Sequence, residues 1–353
     1  MPSNPRDHQP DLKRVSLPLI SVACPLCHAE ESDPVTKARD YVYAVPGEYT
    51  FVRCRSCKHI FINPRPADHV LMDCYPANYA PHLPQPGESD SAENRSEVPT
   101  RSALRRWLRR VPLLRRLLVW LGQQHATVVP DCREETESRL LEVGCAHGGY
   151  LAEATAAGWQ VDGIEPDPAA AERARSRGFD IQVGTLTEVG VPSASREAVV
   201  AWMVLEHVPD PLAFVQDAYR ILTPGGAFCV SVPNGGGLDR HLFGRYWLGY
   251  DAPRHLQVFS ARRLTALLRD SGFVNVVVIH QSSIRYWWGS IAAWGMDRWE
   301  AARWPRRWMQ YFIGDLPPWM KWVSLLPEKL LAALRVSGRI TVIANKPSAA
   351  DPD

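Results

Sequence analysis

Two apolar periods alternate over the second half of the chain. Short runs at Leu140 to Val143, Gln160 to Ile164, Ala227 to Val232, Val274 to Ile279 and Arg339 to Ala344 read as strands, because bounded, near-continuous apolar runs are what a sheet covered on both faces requires. Tyr150 to Ala157, Phe214 to Leu222 and a segment beginning near Ser260 read as helices between them, with Thr223-Pro-Gly-Gly226 as a helix-stopping turn. Strand and helix in regular alternation predict an α/β fold with a doubly wound, mostly parallel sheet.

The first half follows other patterns. Tyr41-Val-Tyr43 and Tyr49 to Val52 alternate as the strands of a small hairpin. Pro81 to Thr100 has no apolar period and reads as a linker, whereas Arg101 to Leu121 carries a stripe of Leu, Val and Trp beside Arg105, Arg106, Arg109, Arg110, Arg115 and Arg116, interrupted at Pro112. The expected organisation is a metal-binding ribbon over 20–75, a linker with a basic amphipathic helix (101–121) over 76–135, and the α/β domain over 136–346. That domain includes a tryptophan-dense helical insertion over 281–338.

Composition narrows the class. With 353 residues and 46% hydrophobic content the chain can bury a full α/β core and still carry a small module. A formal net charge of +2 gives no overall argument for nucleic acid. Met1 to Pro18 is polar and no uncharged apolar run reaches spanning length, so a cytoplasmic location is expected. Tryptophan beside arginine in 101–121 and 281–338 adds the expectation of peripheral contact with an anionic membrane at its inner face.

Four of the eight cysteines form two close pairs, Cys24-Pro-Leu-Cys27 and Cys54-Arg-Ser-Cys57. Two such turns, separated by enough chain for a hairpin, fit a tetrahedral Cys₄ zinc ribbon whose closed coordination makes the ion structural. A module of this size has too little apolar core to be stable without it.

The remaining chemistry concentrates after Arg139. Arg139-Leu-Leu-Glu-Val-Gly-Cys-Ala-His-Gly-Gly-Tyr150 is a strand, a tight glycine turn and a helix start. Glu165 follows roughly 20 residues on, at the end of a second strand, where an acid can accept both hydrogens of a ribose diol. Gly144, Ala146 and Gly148 do not supply the G-x-G-x-x-G spacing of a pyrophosphate site, and Glu142 would repel phosphate while favouring a cationic amino acid.

These residues resemble the first motif and ribose-binding acid of class I S-adenosylmethionine (SAM) dependent methyltransferases. Ala201-Trp-Met-Val-Leu-Glu-His-Val-Pro-Asp210 is similar to their fourth-strand motif. The likeness extends to the ubiquinone-biosynthesis O-methyltransferases, over about Glu137 to His280 and the last strand. The resemblance implies a seven-stranded Rossmann-like sheet with SAM as cofactor. Gly144, Cys145 and Gly148 would cradle its methionine end with Glu142 beside it, Glu165 would hold the ribose, and Pro166 and Thr185 would lie near adenine. Met203 stands where the quinone group carries an additional acid, which argues against an inherited metal-assisted mechanism.

Methyl transfer to a hydroxyl needs alignment and a base. His207 follows the fourth strand, and His255 lies in Tyr246-Trp-Leu-Gly-Tyr-Asp-Ala-Pro-Arg-His255, a loop position that frequently carries the acceptor. There Tyr246 and Trp247 read as aromatic walls, Asp251 and Arg254 as polar clamps, and His255 as the preferred base. The expected acceptor is a small metabolite, a glycan or a lipid-linked molecule. The fourth strand lacks the Asn/Asp-Pro-Pro-Tyr type of motif associated with methylating a base amine, which argues against nucleic acid. A non-catalytic SAM-fold scaffold in a biosynthetic complex and an RNA methyltransferase are the alternative readings.

Overall fold

The computed structural model describes residues 17–76, 79–80, 130, 138–281, 284–299, 301–314 and 316–348; the linker 81–100 and the basic helix expected over 101–121 lie outside them. The first strands among the described residues are β1 (Leu19–Ile20), β2 (Ser32–Ala38), β3 (Tyr49–Cys54), β4 (Ile60–Ile62) and β5 (Arg65–Pro66). β2 and β3 form an antiparallel hairpin, β4 extends it beside β3, and β1 pairs with β5.

The hairpin differs from the expected one. Its first strand is Ser32–Ala38, and Tyr41 to Tyr43 is a bend. The reason is Asp40, whose carboxylate accepts hydrogen bonds from the amides of Val42, Tyr43 and Val45 at 2.9, 2.9 and 3.1 Å. A side chain that captures the following amides removes them from a strand ladder.

The second half forms β6 (Arg139–Val143), β7 (Gln160–Glu165), β8 (Asp180–Val183), β9 (Arg196–Trp202), β10 (Leu222–Pro233), β11 (Gln257–Val258), β12 (Val274–Gln281) and β13 (Arg339–Asn345). Their helices are α1 (Gly149–Ala156), α2 (Pro168–Ser176), α3 (Leu186–Val189), α4 (Pro211–Ile221), α5 (Leu238–Phe243), α6 (Ala261–Asp270), α7 (Ile284–Arg298), α8 (Trp304–Ile313) and α9 (Pro318–Ala333). The main sheet has seven strands in the order β12-β13-β10-β9-β6-β7-β8. Pairing is parallel from β10 to β8, and β13 runs antiparallel to both of its neighbours. This is the doubly wound sheet expected from the apolar runs, with the seven strands that the resemblance implied.

Adjacent strand residues serve opposite faces. Leu141 packs in a core with Phe214, Ala218, Phe259 and Leu264, whereas Leu140 packs with Tyr150, Ala154 and Trp159. Asp167, Asp210 and Ser260 cap α2, α4 and α6 by accepting from Ala169, Ala213 and Arg263 amides, satisfying donors that a helix start leaves open. Thr223 to Gly226 is not a free turn: β10 runs through it, with a register shift between Leu222 and Ala227.

The amino-terminal segment shares structure with the α/β domain. β11, from the loop after β10, pairs antiparallel with β4 and completes a four-stranded sheet in the order β11-β4-β3-β2. One core cluster contains Phe51, Ile60 and Ile62 together with Trp247, Tyr250 and Leu256. Buried His59 contacts Gln257 Oε1 through Nε2 at 2.8 Å. The ribbon is thereby fixed against the loop that carries His255.

Candidate active site

The β6 turn sits at the carboxyl edge of the parallel strands, where doubly wound sheets place their ligands. Gly144 has φ +71°, and a Cβ there would lie 2.5 Å from Val204 Cγ2. Only glycine permits this approach of the turn to the exit of β9. Ala146 also adopts positive φ, +47°, which its small side chain tolerates. Glu165 ends β7 buried, and its oxygens accept from the amides of Ala146 and Asp167, each at 2.9 Å. The carboxylate is thus held beside the glycine turn by backbone donors.

Glu142 is buried in β6, and its Oε2 finds no hydrogen-bond partner among the described residues. Burial, reinforced by Glu165, pushes its carboxyl well above the usual range. Such a group favours a cationic neighbour. Cys145 contributes its amide to Ile164 O at 3.2 Å, while its buried side chain packs with Leu151, Ala171 and Ile181. Burial raises its thiol pKa, the opposite of what an active nucleophile requires. Pro166 is exposed at the rim. Thr185 caps α3, its hydroxyl and amide both bonded to Glu188 Oε2 at 2.7 and 2.9 Å, so its side chain serves the turn.

The structure brings both candidate bases together. The rings of His207 and His255 meet edge to face at 4.6 Å, and Glu206, His207 and His255 each present a ligand-type atom within 4.8 Å of the others. His255 Nδ1 lies 2.9 Å from the Gly249 carbonyl oxygen. A carbonyl only accepts, so Nδ1 carries the proton and the lone pair resides on Nε2 in the neutral ring. Nε2 faces Asp251 Oδ2 at 3.8 Å and Glu206 Oε1 at 4.0 Å. Burial lowers the pKa of His255, opposed by Asp251, and lowers that of His207 well below the usual value, assisted by His255. Buried Glu206 is pushed up to about 8, and neither of its oxygens has a hydrogen-bond partner among the described residues. His207 Nδ1 is shared between Tyr75 Oη at 2.8 Å and Arg254 O at 3.1 Å.

The expected acceptor walls require correction. Trp247 is only 1% exposed, donates from Nε1 to Asp239 Oδ2 at 2.9 Å and packs against Tyr250. It is core. Arg254 is also core: it donates twice to Asp251, at 2.6 and 2.9 Å, and to Asp40 Oδ2 at 2.8 Å, with Tyr43 and Tyr79 over its guanidinium. A cation so committed has no capacity left to clamp an acceptor anion. Asp251 remains beside His255, held ionised near pKa 2 by Arg254 against the opposing effect of burial. Tyr246 is half-buried and packs on Tyr41, with Arg245 over its ring. Asp40 was missed as a site residue. An acid just before Tyr41-Val-Tyr43 is a recognisable turn signal.

The ribbon cysteines converge. Cys24 and Cys57 Sγ are 3.5 Å apart, Cys27 and Cys54 Sγ 3.6 Å, and all four lie within 4.8 Å of one another. A disulfide needs about 2.05 Å, whereas sulfurs about 2.3 Å from a tetrahedral zinc are roughly 3.8 Å apart. Matching turns hold the two pairs: the amides of His28 and Lys58 donate to the Cys24 and Cys54 carbonyls at 2.8 and 3.1 Å. The donor set is compatible with a zinc ribbon. A cleft of about 220 Å³ bounded by Cys24, Phe61, Pro209 and Leu256 lies on the ribbon side of the loop, apart from the crevice.

Sheet order, glycine turn and strand-end acid together define a class I methyltransferase fold. Comparison with known proteins agrees: residues 114–278 match the model of a methyltransferase domain family. The chain is 31% identical over 209 residues to a probable S-adenosylmethionine-dependent methyltransferase of Mycobacterium tuberculosis, covering 57% of this chain and 72% of that protein. It is 38% identical over 140 residues to another of Mycolicibacterium smegmatis, with 38% of this chain and 51% of that protein covered. The chain therefore spans about half the length of the latter relative. A ubiquinone biosynthesis O-methyltransferase of Xanthomonas oryzae is 36% identical over 105 residues, 28% of this chain and 44% of that one. The chain belongs to the SAM-dependent methyltransferases.

Proposed function

We propose that the protein transfers the methyl group of SAM to a hydroxyl of a small metabolite, glycan or lipid-linked acceptor, with His255 as the general base. The observation that carries this reading is the tethering of His255 Nδ1 by the Gly249 carbonyl, which leaves Nε2 as a basic lone pair. The acceptor oxygen attacks the methyl carbon in line, the carbon–sulfur bond breaks, and sulfur leaves with the electron pair as the neutral thioether of S-adenosylhomocysteine. The hydroxyl proton passes to His255 Nε2, and the imidazolium so formed is stabilised by the ionised Asp251 carboxylate at 3.8 Å. His207, steadied by Tyr75, forms the adjoining wall.

In this reading Glu165 accepts both ribose hydroxyls, Glu142 receives the methionine ammonium, and the backbone of Gly144, Cys145 and Gly148 admits the methionine moiety. Pro166 and the Thr185 backbone border adenine. Zinc held by Cys24, Cys27, Cys54 and Cys57 supplies folding stability to the ribbon. Transfer to oxygen is supported by the name of the Xanthomonas relative. The test is incubation of zinc-loaded protein with methyl-labelled SAM and pools of hydroxylated metabolites, glycans and lipids. Label should appear in an ether-forming acceptor with wild type and be reduced at least a hundredfold in His255→Ala. Equal transfer by the variant would remove His255 from the mechanism.

A further inference from the structure

Helix α9 has its polarity reversed. Glu328 and Lys329 are buried, while Trp322, Leu326 and Leu330 are 75%, 67% and 56% exposed. Trp319, Val323 and Leu334 are also exposed. At 100° per residue these six positions fall within one continuous arc, and that arc points to solvent. A helix packed only for the stability of its own domain places such residues inward.

The charges nearby have one sign. Among the described residues from 301 to 338, every exposed charged side chain is a cation: Arg303, Arg306, Arg307, Lys321 and Arg335. A second copy of the chain docking on this face would bring like charges together. The segment 101–121, with arginines at 105, 106, 109, 110, 115 and 116, would do the same. An anionic bilayer surface complements both features, because the headgroup layer receives exposed Trp and Leu while its phosphates attract Lys and Arg. The face also adjoins the acceptor side of the molecule. Trp288 of α7 donates from Nε1 to Ser324 Oγ of α9 at 3.2 Å and packs edge-on to Trp319 at 5.7 Å, and Tyr286, two residues earlier on α7, feels the charges of Glu206 and Asp251.

We infer that the outward face of α9 docks the protein on an anionic membrane surface. Binding is peripheral: among the described residues no helix is long and apolar enough to cross a membrane. The inference stands on exposure and charge and does not depend on which acceptor is methylated.

The test is sedimentation of the full zinc-loaded chain with phosphatidylcholine vesicles, with and without phosphatidylglycerol. Wild type should pellet with the anionic vesicles and remain in solution with the neutral ones. A variant combining Trp322→Ser, Leu326→Ser and Leu330→Ser should lose at least tenfold in vesicle affinity while binding S-adenosylhomocysteine as wild type does, which excludes misfolding. Wild type that ignores anionic vesicles would overturn the inference, as would a variant that binds them undiminished, since the arginine-rich 101–121 segment would then suffice. A wild-type dimer in analytical ultracentrifugation that the triple substitution dissociates would assign the face to a second copy instead.

Discussion

Arg254 Nη1 donates to Asp40 Oδ2 at 2.8 Å across 214 positions of sequence, and both side chains are wholly removed from solvent. The pair joins the amino-terminal segment to the loop that carries His255, and Asp40 at the same time fixes the bend after β2.

Breaking this pair leaves an uncompensated charge in the interior. Asp40→Ala or Arg254→Ala should each cost about 3–5 kcal/mol in denaturant unfolding of the zinc-loaded protein. The double substitution should cost less than the sum of the two. Strict additivity would mean that the two side chains are not coupled.

The pH dependence follows from His255. Burial lowers its pKa, so the ring is neutral, and competent as a base, already below the ordinary histidine value of 6.5. The acidic limb of kcat/KM should therefore lie below pH 6.5 and should vanish in His255→Ala. A limb at or above 6.5 would contradict the assignment. Glu206, raised to about 8, binds a proton in the fold that the unfolded chain has lost above its ordinary pKa of 4.5. The folded state binds more protons in that window, so Glu206 makes stability fall between about pH 4.5 and 8. Glu206→Gln should flatten that decline, measured by urea unfolding across the range.

In the proposed mechanism Tyr75 acts through His207. Tyr75→Phe removes one neutral hydrogen bond, about 1 kcal/mol, and should lower kcat by roughly fivefold with unchanged affinity for S-adenosylhomocysteine. A fall in cofactor affinity instead would assign Tyr75 to the crevice.

The base mechanism also predicts a response to chelation. Dialysis against EDTA under conditions that retain the ribbon zinc, checked by metal analysis, should leave turnover unchanged. Activity lost on dialysis and restored by an added divalent cation would recast Glu206, His207 and His255 as ligands.

The ribbon should be separable from cofactor binding. Cys54→Ser breaks the four-thiolate set, and β4 then loses its anchor beside β11. Turnover should drop steeply while S-adenosylhomocysteine still binds, because the glycine turn and Glu165 are positioned by the paired strands β6 and β7 of the main sheet. Loss of both would show that the cofactor domain cannot fold without the ribbon.

The strand, glycine turn and strand-end acid of the candidate crevice were legible in the sequence because they are local. Strand, glycine turn and helix follow one another directly from Leu140 to Ala156, and Glu165 ends the next strand. The acceptor side was not, because Asp40, Tyr75 and Arg254 meet only in three dimensions. Alternation at Tyr41 to Tyr43 suggested a strand, yet one carboxylate captured the amides that the ladder needed. β11 is too short to display a period of two, so its pairing with β4 left no trace in the pattern. Trp247 and Arg254 illustrate a further limit: aromatic and cationic residues beside a histidine look the same in sequence whether they line a pocket or fill a core.

The central claim is a SAM crevice closed by Glu165, and isothermal titration of the zinc-loaded protein with S-adenosylhomocysteine tests it most directly. Wild type should bind in the micromolar range. Glu165→Ala removes two charge-assisted hydrogen bonds of about 1.5–3 kcal/mol each and should weaken binding by roughly a hundredfold or more. Absence of binding by wild type, or equal binding by the variant, would contradict the account.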